Sequence, residues 1–234
     1  MRRIFGLVLP LFCAVSVLSA CQSVPSASFL LDREDRDQLA DRYAESPGEA
    51  AISLSYADAL TARGQMTQAT AVLEQAAIRN PENLQVLAAY GKSLVRVGRN
   101  QQAREVLARA HSPDRPDPTI LGAEAVAADQ MGDHEKAQEL YLAALQITPR
   151  DAGLLSNYGL SLILTKSLIE AEEQLRLAVA QADASVAARQ NLALALALQG
   201  KAKEAEQYAS RDLDAKETTV FLASFARRKG VVAD

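Results

Sequence analysis

The chain holds 234 residues, 49% hydrophobic and only 5% aromatic, with 25 Lys and Arg set against 29 Asp and Glu for a formal net charge of −4. That acidic balance offers no basic stripe to neutralise phosphates, which argues against nucleic acid as a partner. Cys13 and Cys21 are the two cysteines, and their place near the N-terminus leaves the rest of the chain no disulfide framework.

In chain order, Arg2 and Arg3 give a positive start, Ile4 to Val17 a short apolar stretch, and Leu18-Ser19-Ala20-Cys21 a cleavage region. A targeting segment over 1–20 is predicted, because the apolar run is short for a membrane span of about 20 residues. The tetrapeptide resembles the bacterial lipobox, in which a small residue precedes a cysteine that becomes lipidated. That resemblance implies Cys21 as the first mature residue, carrying a covalent lipid, with no other cofactor expected. An ordinary secretory signal with an incidental cysteine is the alternative. The polar, proline-bearing run that follows reads as a tether over 21–28 and favours the anchor; two or more acyl chains hold stably where one is marginal. Gln22, where enteric sorting would use aspartate for inner-membrane retention, implies a periplasm-facing, lipid-anchored place at the bacterial outer membrane.

Residues 29–47 begin with a charge run from Asp32 to Asp37 that reads as a solvated face, while Leu39 and Tyr43 stand four apart on one stripe. A charged N-terminal capping helix is predicted there. From residue 48 a regular ruler takes over. Ala69, Ala103, Ala137, Ala171 and Ala205 stand 34 residues apart, and Gly64, Gly98, Gly132 and Gly200 fall on multiples of that spacing. Pro47, Pro81 and Pro149 keep the same register, at places where proline ends a helix. The units run Ala50–Asn83, Leu84–Asp117, Pro118–Asp151 and Ala152–Ser185, with a fifth from Val186. One stripe of each first helix reads Tyr56-Ala57-Leu60, Tyr90-Gly91-Leu94, Tyr158-Gly159-Leu162 or Leu192-Ala193-Leu196, and second helices answer with triplets such as Ala69-Leu73-Ala76. Spacings of three and four keep these side chains on one face. A generic alanine-rich bundle would show the stripes without the register.

The pattern resembles the tetratricopeptide repeat, which implies an all-α tetratricopeptide repeat solenoid of about five helix–turn–helix units over residues 48–215. Unit three departs from it: Glu124, Ala125 and Ala128 replace the large groups, and the linker Ser112 to Pro118 holds three prolines, predicting a less regular joint. Unit four carries Lys166 at the glycine position, where an ordinary backbone conformation is expected. Over 216–234, Glu217-Thr218-Thr219 reads as a helix start and Gly230 as a stop. The enclosed C-terminal capping helix should dock Phe221 and Phe225 on unit five, with Arg227-Arg228-Lys229 at the favourable end of its dipole.

Catalysis finds little footing, and the chain is expected not to be an enzyme. His111 and His134 have no companion cysteine, His134 reads as an exposed turn residue, and no metal-ligand spacing, nucleophile elbow or phosphate-binding glycine loop occurs. Adjacent Glu172 and Glu173 point apart on a helix. The family resemblance instead implies a groove lined from the first helices. Units one to three would supply Asp58, Lys92, Arg96, Asp129 and Gln130; units four and five would supply Leu160, Ile163, Leu164, Leu194, Ala197 and Leu198. An exposed apolar cluster of that size needs cover, from a partner segment or from the molecule's own terminal helix.

A lipobox joined to a short array resembles periplasm-facing assembly lipoproteins, particularly the TadD-like component of tight-adherence (Flp) pilus machinery. The resemblance implies a non-catalytic scaffold that assists assembly or localisation of the pilus secretin, with envelope proteins as partners. Type IV pilus pilotins share this architecture. The alternative is a lipoprotein adaptor that recruits cell-wall enzymes or outer-membrane assembly machinery.

Overall fold

The computed structural model describes residues 38–112 and 114–229; the leader, Cys21 and the tether lie outside them. Helix α1 occupies 38–45 within that range. Ten helices follow in pairs: α2 (Ala50–Ala62) with α3 (Met66–Arg79), α4 (Leu84–Arg96) with α5 (Asn100–Leu107), α6 (Pro118–Gln130) with α7 (His134–Ile147), α8 (Ala152–Leu164) with α9 (Leu168–Val179), and α10 (Val186–Gln199) with α11 (Ala202–Ala209). Helix α12 (Ala215–Lys229) closes the series. Both members of every pair begin 34 residues after their counterparts in the pair before. Each helix packs on its hairpin partner and on the next hairpin, and each first helix also touches the first helix of the following pair.

Local chemistry sets these boundaries. Asn83, Asp117, Asp151 and Ser185 stand at the N-caps of α4, α6, α8 and α10, where a side-chain oxygen accepts from backbone N–H groups of the first turn. First helices end in paired backbone hydrogen bonds, as from Gly64 N–H to Thr61 O and from Gln65 N–H to Leu60 O. That closure needs one residue in the left-handed region. Gly64, Gly98, Gly132 and Gly200 take φ of 74°, 76°, 82° and 85°. Lys166 takes φ 65°, which corrects the expectation of ordinary backbone at that site. Its turn repeats the same bonds, Lys166 N–H to Ile163 O and Ser167 N–H to Leu162 O, so the closure dictates the conformation whatever the side chain.

The spaced alanines are all buried, at 1% exposure or less. Small residues there let paired backbones approach; at Gly159 the approach is close enough that a Cβ would lie 2.4 Å from Leu175 Cγ. The core has no single centre. One apolar cluster runs from α2 to α6, a second joins α6, α7 and α8, a third spans α8 to α11 and a small fourth joins α8, α9 and α10, so α6 serves two clusters and α8 three. The joint expected before unit three is real: α5 has 8 residues where α3 and α7 have 14, and an isolated Ser112–Arg115 bridge folds the chain before Asp117 caps α6.

At the first end, the Tyr43 ring stacks on Tyr56 with centroids 4.9 Å apart. At the other, Thr218 is buried and Leu222 packs on the α8–α11 cluster. Phe221 is half-buried, and the Phe225 side chain lies outside the described residues. Helix α12 starts at Ala215, earlier than Glu217-Thr218-Thr219 suggested, because Asp214 and Glu217 cap it reciprocally. Glu217 N–H donates to Asp214 Oδ1 at 2.8 Å, and Asp214 N–H donates to Glu217 Oε2 at 3.0 Å.

Candidate protein-interaction surface

Contacts running α2–α4–α6–α8–α10–α12 set the first helices side by side along one face. At α4 that face is basic. Lys92 Nζ donates to Thr119 Oγ1 on α6 at 2.8 Å, and exposed Arg96 has no hydrogen-bond or ion-pair partner among the described residues. Both line a cavity of about 380 Å³ that reaches Val126 on α6 and Leu154 and Asn157 on α8. Asp151 lines it too, its carboxylate already accepting from Leu154 N–H at 2.8 Å. Burial works against ionisation of nearby Asp117, yet hydrogen bonds from the Thr119 side chain and backbone and from Ile120 N–H, with the Lys92 charge, hold its carboxyl below the usual range.

Toward α8 and α10 the same face turns apolar. Leu164 is 53% exposed. Leu160, Leu194, Ala197 and Leu198 are half-buried and pack on the α8–α11 cluster, which also takes Leu222 of α12. Ile163, expected on the groove, is instead a core residue at 8% exposure. The reason is positional: Val95, Asp129 and Ile163 occupy the same place in successive first helices, and in α4, α6 and α8 that place is largely buried, while Ala197, its equivalent in α10, is half-buried. Asp58 and Gln130 are exposed.

Asp129 therefore leaves the groove as well. Its Oδ1 accepts from Ser161 Oγ at 2.8 Å and meets His134 Nδ1 at 2.8 Å, which ties α6, α7 and α8 together. Burial, reinforced by the Asp129 charge and a hydrogen bond to it, pushes the Tyr141 phenol far above its usual range. His134 is thus a partly buried strut, correcting its reading as an exposed turn residue. Ser, His and Asp stand together here without forming a hydrolytic triad. Ser161 is fully buried and bonds the carboxylate rather than the imidazole, so the nucleophile–base contact is missing.

At the joint before unit three, His111 Nε2 faces Glu124 Oε2 at 3.4 Å, both side chains largely buried. Burial pushes the Glu124 carboxyl up, while His111 pulls it down and only partly offsets the shift. Glu124 occupies the position that carries tyrosine in three other units, and that substitution was the signal in the sequence. Glu172 accepts from Arg176, Gln199 and Lys201, and Arg176 reaches Glu204 on α11 at 2.6 Å. Arg189 grips Asp212 through two bonds of 2.7 and 2.6 Å. Only the Glu172–Arg176 spacing was visible as a helical pair; the Gln199, Lys201 and Glu204 contacts span nearly a whole unit.

Two family models, each described as tetratricopeptide repeat, match residues 60–127 and 119–151. The chain carries tetratricopeptide repeats, and its fold is a tetratricopeptide repeat solenoid, the architecture of a protein–protein interaction scaffold. Among solved structures, PilW, a widely conserved type IV pilus biogenesis factor, superposes with a TM-score of 0.69 at 16% identity, covering 83% of this chain and 92% of that chain. Pseudomonas aeruginosa PilF gives 0.63 at 16% identity over 84% of this chain and 93% of that one. A chain of the APC/C hetero-tetramer Cut9–Hcn1 gives 0.69 at 16% identity over 83% of this chain, which spans only 40% of its length. Likeness at such identities establishes the fold alone. No curated protein matches the chain. No described helix is long and apolar enough to cross a membrane.

Proposed function

We propose that this protein is a non-catalytic scaffold of the bacterial envelope, held by lipid on Cys21 at the periplasmic face of the outer membrane, where it helps assemble or localise the secretin of a tight-adherence (Flp) pilus. The observation that carries the scaffold reading is the continuous first-helix face, with exposed Arg96 at one end and exposed Leu164 beside half-buried leucines at the other. The pilus reading draws on the lipobox-plus-array pattern and on the likeness in fold to PilF and PilW over more than nine-tenths of their lengths.

Affinity capture from detergent-solubilised envelopes tests it. Secretin and pilus-assembly proteins are the expected catch; recovery of wall hydrolases or barrel-assembly proteins in their place turns the assignment to a lipoprotein adaptor. Leu160→Asp with Leu194→Asp should abolish capture. Because both residues pack on the core, Leu164→Asp supplies a variant that leaves the fold untouched and should weaken capture alone. Cys21→Ser should move the protein from the membrane to the soluble fraction on cell fractionation; an unchanged membrane fraction refutes the anchor.

A further inference from the structure

The joint between the second and third hairpins carries a contact unlike its equivalent at the start of the array. His111 and Glu124 stand two units, 68 residues, beyond Tyr43 and Tyr56. The tyrosines stack ring on ring at 4.9 Å, an uncharged contact. The later pair instead sets His111 Nε2 3.4 Å from Glu124 Oε2, with only 14% and 13% of the two side chains exposed. His111 Nδ1 is also buried and has no hydrogen-bond partner among the described residues. A buried polar atom left unpaired carries its full desolvation penalty until water reaches it, so closure of this joint is opposed from the start.

The pair stands between two cavities. His111 lines one of about 510 Å³ with Arg109, Arg115 and Asp117, to which α4 adds the uncharged Leu84, Gln85 and Ala88. Glu124 lines the other, of about 290 Å³, with Arg104 and Glu105 of α5 and Lys136 of α7. Helix α8 also touches α6 but lines neither cavity among the described residues. Several of these charges are engaged elsewhere: Lys136 meets Glu139 at 2.9 Å, Arg109 donates to Pro81 O at 2.9 Å, and Asp117 caps α6. Little of the fold has to move for the joint to loosen. Helix α5 has only 8 residues, and the chain after it is held by single-turn bonds such as Ala110 N–H to Leu107 O at 2.8 Å.

We infer that this joint is a proton-operated clasp: the end of α5, through His111, closes on α6 while a proton is held between His111 and Glu124, and works loose when that proton leaves at higher pH. With the proton the pair is net neutral; without it, a neutral imidazole faces a buried carboxylate charge. Burial pushes the Glu124 carboxyl up by more than His111, Arg104 and Lys136 together pull it down. A carboxyl raised in this way binds its proton more tightly when closed than when exposed. Closure is therefore whole below about pH 4.5 and is lost as pH rises through the raised value. The depressed carboxyl of Asp117 does not blur this window, because its own contribution is whole above about pH 4.5. The clasp stands apart from the envelope reading and governs how firmly the first two hairpins are set against the last three.

The test is hydrogen exchange of the full-length protein in detergent at pH 5 and pH 8, read by mass spectrometry with exchange times scaled for the intrinsic amide rate. Protection of the Ala108, Arg109 and Ala110 amides is expected to fall about ten-fold from pH 5 to pH 8, the effect of one linked proton over about one pH unit. Amides around the Tyr43–Tyr56 stack should keep theirs. His111→Tyr with Glu124→Tyr transplants that stack and should leave the joint closed at both pH values. Glu124→Gln keeps the shape without the charge and should do the same, which covers the case in which two added rings do not fit. Helical content by circular dichroism checks that each variant is folded. Equal protection at the two pH values in the unaltered protein, or greater protection at pH 8, overturns the clasp. So does a ten-fold fall that persists in Glu124→Gln, since the Glu124 proton would then have no part in it.

Discussion

Lys166 holds a conformation that L side chains resist, at roughly 1–2 kcal/mol. Lys166→Gly should therefore stabilise the chain by about 1 kcal/mol once glycine's greater unfolded freedom is deducted. A higher urea midpoint at unchanged slope is the signature; a lower midpoint contradicts it. Asp129 has the opposite character. Removing its carboxylate strands the Ser161 hydroxyl and the Tyr141 phenol in the interior, and Asp129→Ala should cost about 2–3 kcal/mol, read in the same titration. Neither residue's role could be read from spacing. Lys166 broke a glycine pattern, but a pattern break does not reveal whether the backbone yields or the residue does. His134 and Asp129 are five apart across a turn, and only the folded chain shows that Asp129 meets both His134 and Ser161, the latter 32 residues further on.

Among elements, the helix starts were legible because caps, glycine turns and alanine contacts recur on one ruler, and each signal locates the others. Helix α12 was misjudged at its start because it stands off that ruler and its capping pair, Asp214 and Glu217, had no repeat to point to it. One cap and two ion-paired carboxylates govern the response to acid. Asp117, Glu172 and Asp212 are each held below their usual ionisation range in the folded chain. A carboxyl depressed in this way binds its proton more readily when unfolded, so its stabilisation is whole above about pH 4.5 and is lost as pH falls toward the folded value. Glu124, raised by burial, acts with the opposite sign: its contribution is present at low pH and lost as pH rises through its folded value. With three carboxyls against one, urea midpoints should drop below about pH 4, and a midpoint steady down to pH 3 would refute that balance. Asp117→Ala should lower stability by about 1 kcal/mol at pH 7 and flatten part of that acid slope.

For the whole molecule, stability is carried between neighbours rather than by a common centre, as the overlapping clusters at α6 and α8 require. Amide exchange is expected to be slowest in α6 to α8 and faster toward α1 and α12, with local opening free energies falling off from the middle; uniform protection from end to end would contradict this. The exposure of the first-helix face was legible in outline, since Arg96 and Leu164 are exposed and Lys92 is half-buried. The sequence overcounted at Ile163, because an apolar residue at the border of a buried stripe looks the same in one dimension whether it faces water or its neighbour.

The common starting point of the hairpins has a genetic consequence. Because first helices begin at Ala50, Leu84, Pro118, Ala152 and Val186, an unequal crossover between equivalent sites removes or adds one whole hairpin and rejoins a helix to its proper kind of successor. The length of partner that the molecule can span is thereby free to change in steps of one module; the joint at Ser112 to Asp117 lies within one module and is lost or copied intact, whereas the ion pairs between α9 and α11 bridge two modules and lose a partner when either is removed.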